Sequence, residues 1–540
     1  MRRKGSLFGS RALGLMGVCG LVAMVAYLAF PERPVSRQAL AQTTNALKML
    51  HTASTLPGHE SAEGVLPAGI LPVRSAAGAQ AAGGPTSGPT VSVKNFGAKG
   101  DGRSDDYEAL KTAAAFICSH PGQTLVFPPG VYRVAPVRIT GGPNANKVTN
   151  IIYDGCQNVT ISGTGAKIDV FGGFNRASDT TTGGGRFHYS YSNAVIPFDF
   201  RNSSNFTLTG FELNGNADKA TRDKDVMESA NDGVSTTDCS NYTISNIYAH
   251  HFLTDGIYIG AGAKHTADRN VTIMRVTSTN NARDGMSLIQ VRDIQVLNSN
   301  FNQNGRTGGA YGGHSPSSGI DVEPNQVPPT VDVETGGVTF RDCQFADNMG
   351  LQLVCILTNA VEQIDVRHST FKAQMPDDYH IAFQIFPANG SVQDCTFDIS
   401  YPHIVYLHGT VRASFPAFRQ LIFAHNIFNL GSNEGIICDP PEPLNIQFIG
   451  NTVNVVGQPG DRTYLKLRGM GVVSGNTFFV DGRGYSGGGG GQPVVLYDGT
   501  RRIDGNVYRT NLSGPGRALK ITYPAGAQVG NERYSSNFSR

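Results

Sequence analysis

Asp321 and Glu323 stand two residues apart in the run Ser318-Gly319-Ile320-Asp321-Val322-Glu323. Apolar Ile320 and Val322 alternate with them, the pattern of a β-strand that buries one face. Both carboxyls then share the other face, with Cα atoms about 6.6 Å apart at ~3.3 Å per residue. At such a spacing one carboxyl can stay ionised while its neighbour is held protonated, which suits acid–base chemistry. Carboxyl separations of about 5 to 9 Å serve retaining and inverting glycosidases. The pair could equally hold a cation such as Ca2+, bridging to a uronic acid carboxylate. The plain alternative is a solvated strand end that Pro324 closes.

Two further runs align with this one on a glycine: Asp255-Gly256-Ile257-Tyr258-Ile259 and Asp284-Gly285-Met286-Ser287-Leu288. Alternation turns Ile257, Ile259, Met286, Leu288, Ile320 and Val322 inward, and Tyr258, Ser287 and Asp321 outward. Asp255 and Asp284 are either a ladder of Asp-Gly turns or acids flanking a groove with Asp321. Arg283 is placed to bind a uronate, to act as a base, or to form a surface ion pair. His250 and His251 precede Asp255, with His251 the candidate sugar contact. The glycine-rich insertion 305–318 carries Tyr311, able to stack on a sugar ring, and His314, able to carry protons. A second excursion, 172–192, holds Phe174, Phe187, His188, Tyr189 and Tyr191, and a polar loop runs from Asn214 to Glu228.

These runs need a scaffold that repeats. His425-Asn426-Ile427-Phe428, Gly450-Asn451-Thr452-Val453, Gly475-Asn476-Thr477-Phe478 and Gly505-Asn506-Val507-Tyr508 share Asn, one residue, then a large apolar residue. Upstream, 338–345, 364–371 and 392–397 resemble one another, as do short strands opening at Asn205, Asn241, Asn270 and Asp293. A period near 25 residues means stacked supersecondary units, and no helical pattern lies between them. Stacked coils of two or three short strands pair in parallel about 4.8 Å apart. The expectation is an all-β parallel β-helix, with Asn side chains bonded along its turns and Phe side chains stacked in its core. A β-propeller needs blades of roughly 40 residues or more.

The helix-like exception lies at the start of the repeats. Asp105 is expected to N-cap a helix with Glu108 at N3, and Leu110, Ala113, Ala114 and Ile117 form its apolar face. Such a helix covers the first coil's core and edge. The glycines before it do not spell G-x-G-x-x-G. The block Asn95-Phe96-Gly97-Ala98-Lys99-Gly100-Asp101-Gly102, with Asp105-Asp106 and Pro128-Pro129-Gly130-Val131-Tyr132, resembles the opening of the pectin-lyase-like superfamily. The branch is that of rhamnogalacturonase- and epimerase-type pectate lyase domains, and with the repeats the resemblance spans about 91–510. It implies a right-handed helix of coils that binds polysaccharide along one outer strand face. It leaves lyase, hydrolase, epimerase and tailspike functions open. Related lyases use Arg or Lys as the base of β-elimination, which directs attention to Arg283. Thr254-Asp255-Gly256 is similar to part of the polygalacturonase Asn-Thr-Asp-Gly motif, with Leu253 where Asn is expected; that family's paired Asp, His-Gly and Arg-Ile-Lys motifs are absent. Gly319-Ile320-Asp321 is similar to the mannuronan epimerase Gly-x-Asp-Pro-His pattern, with Glu323 in the place of His.

Composition agrees with a repeat protein rather than a nucleic-acid binder: 540 residues, net charge +2, 66 Gly and no Trp. Met1-Arg2-Arg3-Lys4 and Arg11 precede an uncharged run from Ala12 to Phe30, read as a membrane anchor or signal segment with the body exported. The Ala-, Pro-, Gly- and Ser-rich stretch 31–90 reads as a flexible linker, and 91–540 as the β-helix domain. Cys343 and Cys395, at matching places in their repeats, read as buried apolar side chains rather than disulfide partners. No Cys or His spacing suggests zinc. The combined expectation is an exported enzyme that cleaves an acidic polysaccharide by hydrolysis or β-elimination. A polyuronate epimerase and a non-catalytic polysaccharide-binding surface protein are the alternatives.

Overall fold

In the structure, a computed structural model, the described residues run from 88 to 539. Outside the description fall 1–87, 136–149, 172–194, 220–230, 307–315, 324–334, 408–419, 482–493 and several shorter stretches. The expected anchor, most of the linker, the 172–192 excursion, Tyr311 and His314 therefore lie outside the described residues. Among the described residues no helix is long and apolar enough to cross a membrane.

The fold is a parallel β-helix. A 28-stranded sheet takes two strands from most coils, and a 10-stranded sheet, succeeded by a 4-stranded one, takes the third. Pairing runs coil to coil and parallel: Ile257 faces Met286, Met286 faces Ile320, and Ile320 faces Leu353. The inward apolar residues of each coil stack on those of the next. Phe345, Phe371, Phe397 and Phe428 form one such column, with centroids 4.6 to 4.8 Å apart and planes within 16°.

Residues in the left-handed region turn the chain between the paired strands. Asn246, Arg275, Asn298, Asp342, His368, Asp394 and His425 occupy this turn on successive coils, and Gly450, Gly475 and Gly505 continue it. Asn and Gly tolerate φ > 0 best. The next residue is buried, and its backbone N–H needs a partner. Asn426 N, Asn451 N and Asn476 N donate to Oδ1 of Asn451, Asn476 and Asn506 at 2.9, 2.7 and 2.9 Å. Each Nδ2 reinforces the step, as Asn451 Nδ2 does to Asn476 Oδ1 at 3.0 Å. Upstream the same column is built from smaller residues. Cys343 N donates to Ser369 Oγ, Ser369 N to Cys395 Sγ, and Cys395 N to Asn426 Oδ1. Cys343 and Cys395 are indeed buried free thiols. Cys118 and Cys156 form a disulfide, which the spacing of the cysteines does not reveal.

The capping helix spans Tyr107–Cys118 and buries Leu110, Ala113, Ala114 and Ile117 as expected. Its cap is displaced by one residue. The N-cap is Asp106, whose side chain makes no capping bond within the helix. Instead it accepts from Lys99 N and Gly100 N, holding the glycine turn. Asp105 Oδ1 still accepts from Tyr107 N at 3.0 Å, but Glu108 is then one residue too early for a capping box.

Replacing Asn451 with Ala removes a donor and an acceptor from the column while leaving Asn426 N and Phe423 O buried. Chemical denaturation is expected to show a loss of about 2 kcal/mol or more; an unchanged midpoint and slope would refute the column's role.

Candidate functional site

The outer row of the 10-stranded sheet reads Asp199, Ser235, Tyr258, Ser287, Asp321 and Val354 on successive coils. Just before these strands runs a second column: Asp232-Gly233, Asp255-Gly256, Asp284-Gly285 and Ser318-Gly319. Each carboxyl takes the backbone N–H one coil further on. Asp255 N donates to Asp232 Oδ1 and Asp284 N to Asp255 Oδ1, both at 3.2 Å, and Ser318 N donates to Asp284 Oδ1. Ser318 Oγ adds a bond to Asp284 Oδ1 at 3.0 Å.

The aligned glycines are required by a third column beside them. Asn281 Nδ2 donates to Asn304 Oδ1, and Asn304 Nδ2 to Asn348 Oδ1. A Cβ on Gly285 would lie 2.5 Å from the Gly319 carbonyl oxygen and 2.8 Å from Asn304 Nδ2. Neither is a flexible side-chain end, so any larger residue displaces backbone and ladder together.

The structure thus brings Asp255, Asp284, Asp321, Glu323, Tyr258 and Arg283 onto one side of the coils. It corrects their surroundings. The outward carboxyls are buried, which rules out the solvated strand end for Asp321 and Glu323: relative exposure is 0% for Asp255 and Asp284, 2% for Asp321 and 8% for Glu323. Strand alternation decides which side of the sheet a side chain takes, not whether that side meets water. The alternation itself holds, with Ile257, Ile259, Met286, Leu288, Ile320 and Val322 in the core. Tyr258 is half-buried.

Arg283 is likewise not a surface ion pair. Its guanidinium grips the Asp255 carboxylate at both oxygens, with Nε donating to Oδ1 at 2.8 Å. Nε also lies 3.3 Å from Asp284 Oδ2. Ser287 Oγ donates to Asp255 Oδ2 at 2.7 Å. Asp255 is therefore a fully coordinated carboxylate. Its neighbours respond. Burial, then the Asp255 charge, pushes both Asp232 and Asp284 up to about 8. Burial, then the Glu323 and Asp284 charges, raises Asp321 well above the carboxylate range. Burial, then Asp232, raises the Tyr258 phenol. Protonated acids beside ionised ones are what proton donation and abstraction need.

His251 stands elsewhere. Its Nδ1 lies 2.7 Å from His250 Nδ1, and His250 Nε2 lies 3.4 Å from Glu212, which is paired with Lys167. Burial lowers the His250 pKa. Of the polar loop that begins at Asn214, the described part ties Asn214 and Asn216 to Asp169.

Sequence reasoning missed Asn231, Asp232 and the Asn281–Asn304–Asn348 ladder. Asn231-Asp232-Gly233-Val234 carries the same acid-glycine-apolar signature as Asp255-Gly256-Ile257, which could have found it. Among the described residues no group of three or more His, Cys, Asp or Glu side chains could hold a metal ion.

Because Asp284 is protonated more readily folded than unfolded, it holds the native state most strongly below its unfolded pKa near 3.8, and that contribution is lost as pH rises towards about 8. Asp284→Asn keeps an acceptor for Ser318 and removes the ionisation. Thermal melts should show the variant gaining on the parent from pH 5 to pH 9; a pH-independent difference would refute the assignment.

Residues 90–311 match the family model described as rhamnogalacturonase A/epimerase, pectate lyase-like. No curated protein matches the chain. Among solved structures, the A-module of the mannuronan C-5 epimerase AlgE6 of Azotobacter vinelandii is 16% identical, with a TM-score of 0.43 over 82% of this chain and 99% of that one. The surface adhesin PfbA of Streptococcus pneumoniae is 12% identical, with a TM-score of 0.45 over 77% and 91%. A hyperthermoactive exopolygalacturonase from Thermotoga maritima is 12% identical, with a TM-score of 0.41 over 78% and 91%. None of these likenesses assigns an activity to the chain.

Proposed function

We propose, for a chain whose residues 90–311 are of the pectin-lyase-like superfamily, a polysaccharide-active enzyme that hydrolyses glycosidic bonds. The observation that carries this reading is the pair Asp321 and Glu323. They are neighbours on one strand face, with the Asp321 carboxyl held protonated by burial and by the Glu323 charge. Asp321 donates its proton to the leaving glycosidic oxygen as that bond breaks. Glu323 accepts a proton from the water that attacks the sugar carbon, so the products together gain one water. Asp284 lies on the neighbouring coil, itself held protonated by burial and the Asp255 charge, and Tyr258 flanks the row.

The disposition of Arg283 favours hydrolysis over β-elimination. Elimination needs a free base, and this guanidinium donates through Nε and Nη2 to the two oxygens of Asp255, which stabilises its charged form. The same reading takes the coils as right-handed, 91–540 as one domain and the chain as exported. The Cys118–Cys156 disulfide supports export, because such bonds persist in oxidising compartments.

The full-length chain, incubated with a panel of polysaccharides in heavy-oxygen water, should place heavy oxygen at new chain ends by mass spectrometry. Unsaturated ends, or no cleavage of any polymer, would overturn hydrolysis. Asp321→Asn should lower kcat by about 100-fold or more with little change in thermal midpoint.

Activity requires protonated Asp321, so it falls as pH rises through that group's elevated pKa. Glu323→Gln removes the adjoining negative charge. The alkaline limb of the residual activity should then move to lower pH; an unmoved limb would separate Glu323 from the proton donor.

A further inference from the structure

We infer that the outer face of the strand Tyr248–His250 is a second polysaccharide-binding site, separate from the acid row, on which Tyr248 stacks against the apolar face of a sugar ring. This rests on the polysaccharide reading of the chain and extends it to a surface that takes no part in cleavage. The strand belongs to the 28-stranded sheet, whereas Tyr258, Ser287 and Asp321 lie on the 10-stranded one.

A ring held ready is the first support. Tyr248 is 41% exposed, and it is the one aromatic side chain among the exposed large apolar residues described. Its ring stacks on that of His250, two residues along the same strand face, with centroids 4.5 Å apart and planes 28° apart. His250 is fixed at both ring nitrogens. Its Nδ1 lies 2.7 Å from His251 Nδ1, and its Nε2 lies 3.4 Å from Glu212 Oε1, which Lys167 also holds at 2.7 Å. The His250–His251 pair thus backs one face of Tyr248, and little freedom remains to be lost when a ligand covers the other.

The second support is what surrounds the ring. Strand register sets Glu212 beside Tyr248 on one neighbouring coil and Thr277 on the other, with Asn300 one coil further. Each step is about 4.8 Å, which brings these side chains to the rim of a sugar ring stacked on Tyr248. A carboxylate accepts, while a hydroxyl and an amide both donate and accept, so the row answers sugar hydroxyls in either sense. A pyranose needs this combination, because its C–H face is apolar and its rim carries hydroxyls. A protein partner needs a contiguous apolar patch. The next exposed large apolar residue described on this row, Ile427, is six coils away.

The test is affinity electrophoresis of the full-length chain in gels that contain polygalacturonate, alginate, xylan, mannan or dextran. At least one polymer should retard the parent, and Tyr248→Ala should weaken that binding about ten-fold at an unchanged thermal midpoint. Tyr248→Phe, which keeps the ring, should bind within about two-fold of the parent. Asp321→Asn should still be retarded, because the acid row is a separate surface. Binding by Tyr248→Ala as tight as the parent's, Tyr248→Phe as weak as Tyr248→Ala, retardation lost in Asp321→Asn, or no retardation by any polymer overturns the inference. Retardation that depends on Tyr248, by polymers that are never cleaved, would instead sink the hydrolase reading and leave this one standing.

Discussion

The whole molecule depends on one hydrogen bond: a buried backbone N–H at the turn of one coil donating to a side-chain oxygen or sulfur on the next. In the coils from Cys343 to Asn506 the turn between the paired strands leaves an N–H that the sheet does not use. A residue with a short polar side chain in the equivalent place one coil on satisfies it. Because each such residue presents its own N–H to the next coil, the solution propagates along the axis and defines the register. In the C-terminal coils the residue is Asn, whose Nδ2 adds a second bond per step. In earlier coils Ser or Cys serves, with one bond and less volume.

The acid site is built by the same device put to another use. Asp232, Asp255 and Asp284 each accept an N–H from the following coil, as a turn ladder does. Substituting a carboxyl for an amide in a ladder position places ionisable groups one above another in a buried row. Like charges at that spacing cannot all ionise. Arg283 commits its guanidinium to Asp255, and burial with the Asp255 charge pushes Asp232 and Asp284 up to about 8. The turn-ladder and groove-acid readings of these residues are therefore not exclusive. The ladder holds the acids in register, and the register couples their protonation to Asp321 and Glu323.

The glycines connect the two. Gly256, Gly285 and Gly319 lie where the Asn281–Asn304–Asn348 amides pass closest to the backbone, each of which would stand 2.8 Å from an added Cβ. The absence of a side chain lets a structural amide column and a row of acids run side by side. A substitution there would reach the site through the scaffold rather than through any reacting group.

The sequence by itself determined the architecture, the inward face of every strand near the site, the Asn column and the capping helix. Each of these is periodic or local, and the same solvent and backbone constraints act at each repeat, so a pattern of residue types suffices to reveal them. Its candidate acids came together as well, because aligned glycines report register. What only the tertiary structure decided is the environment of those acids: that Asp255, Asp284, Asp321 and Glu323 are buried rather than solvated, that Arg283 is held by Asp255, that Asp232 completes the column, that His251 turns to His250, and that Cys118 meets Cys156. These depend on what covers the outward face and on pairings across coils between residues of unlike type, and residue spacing along one chain carries no record of either.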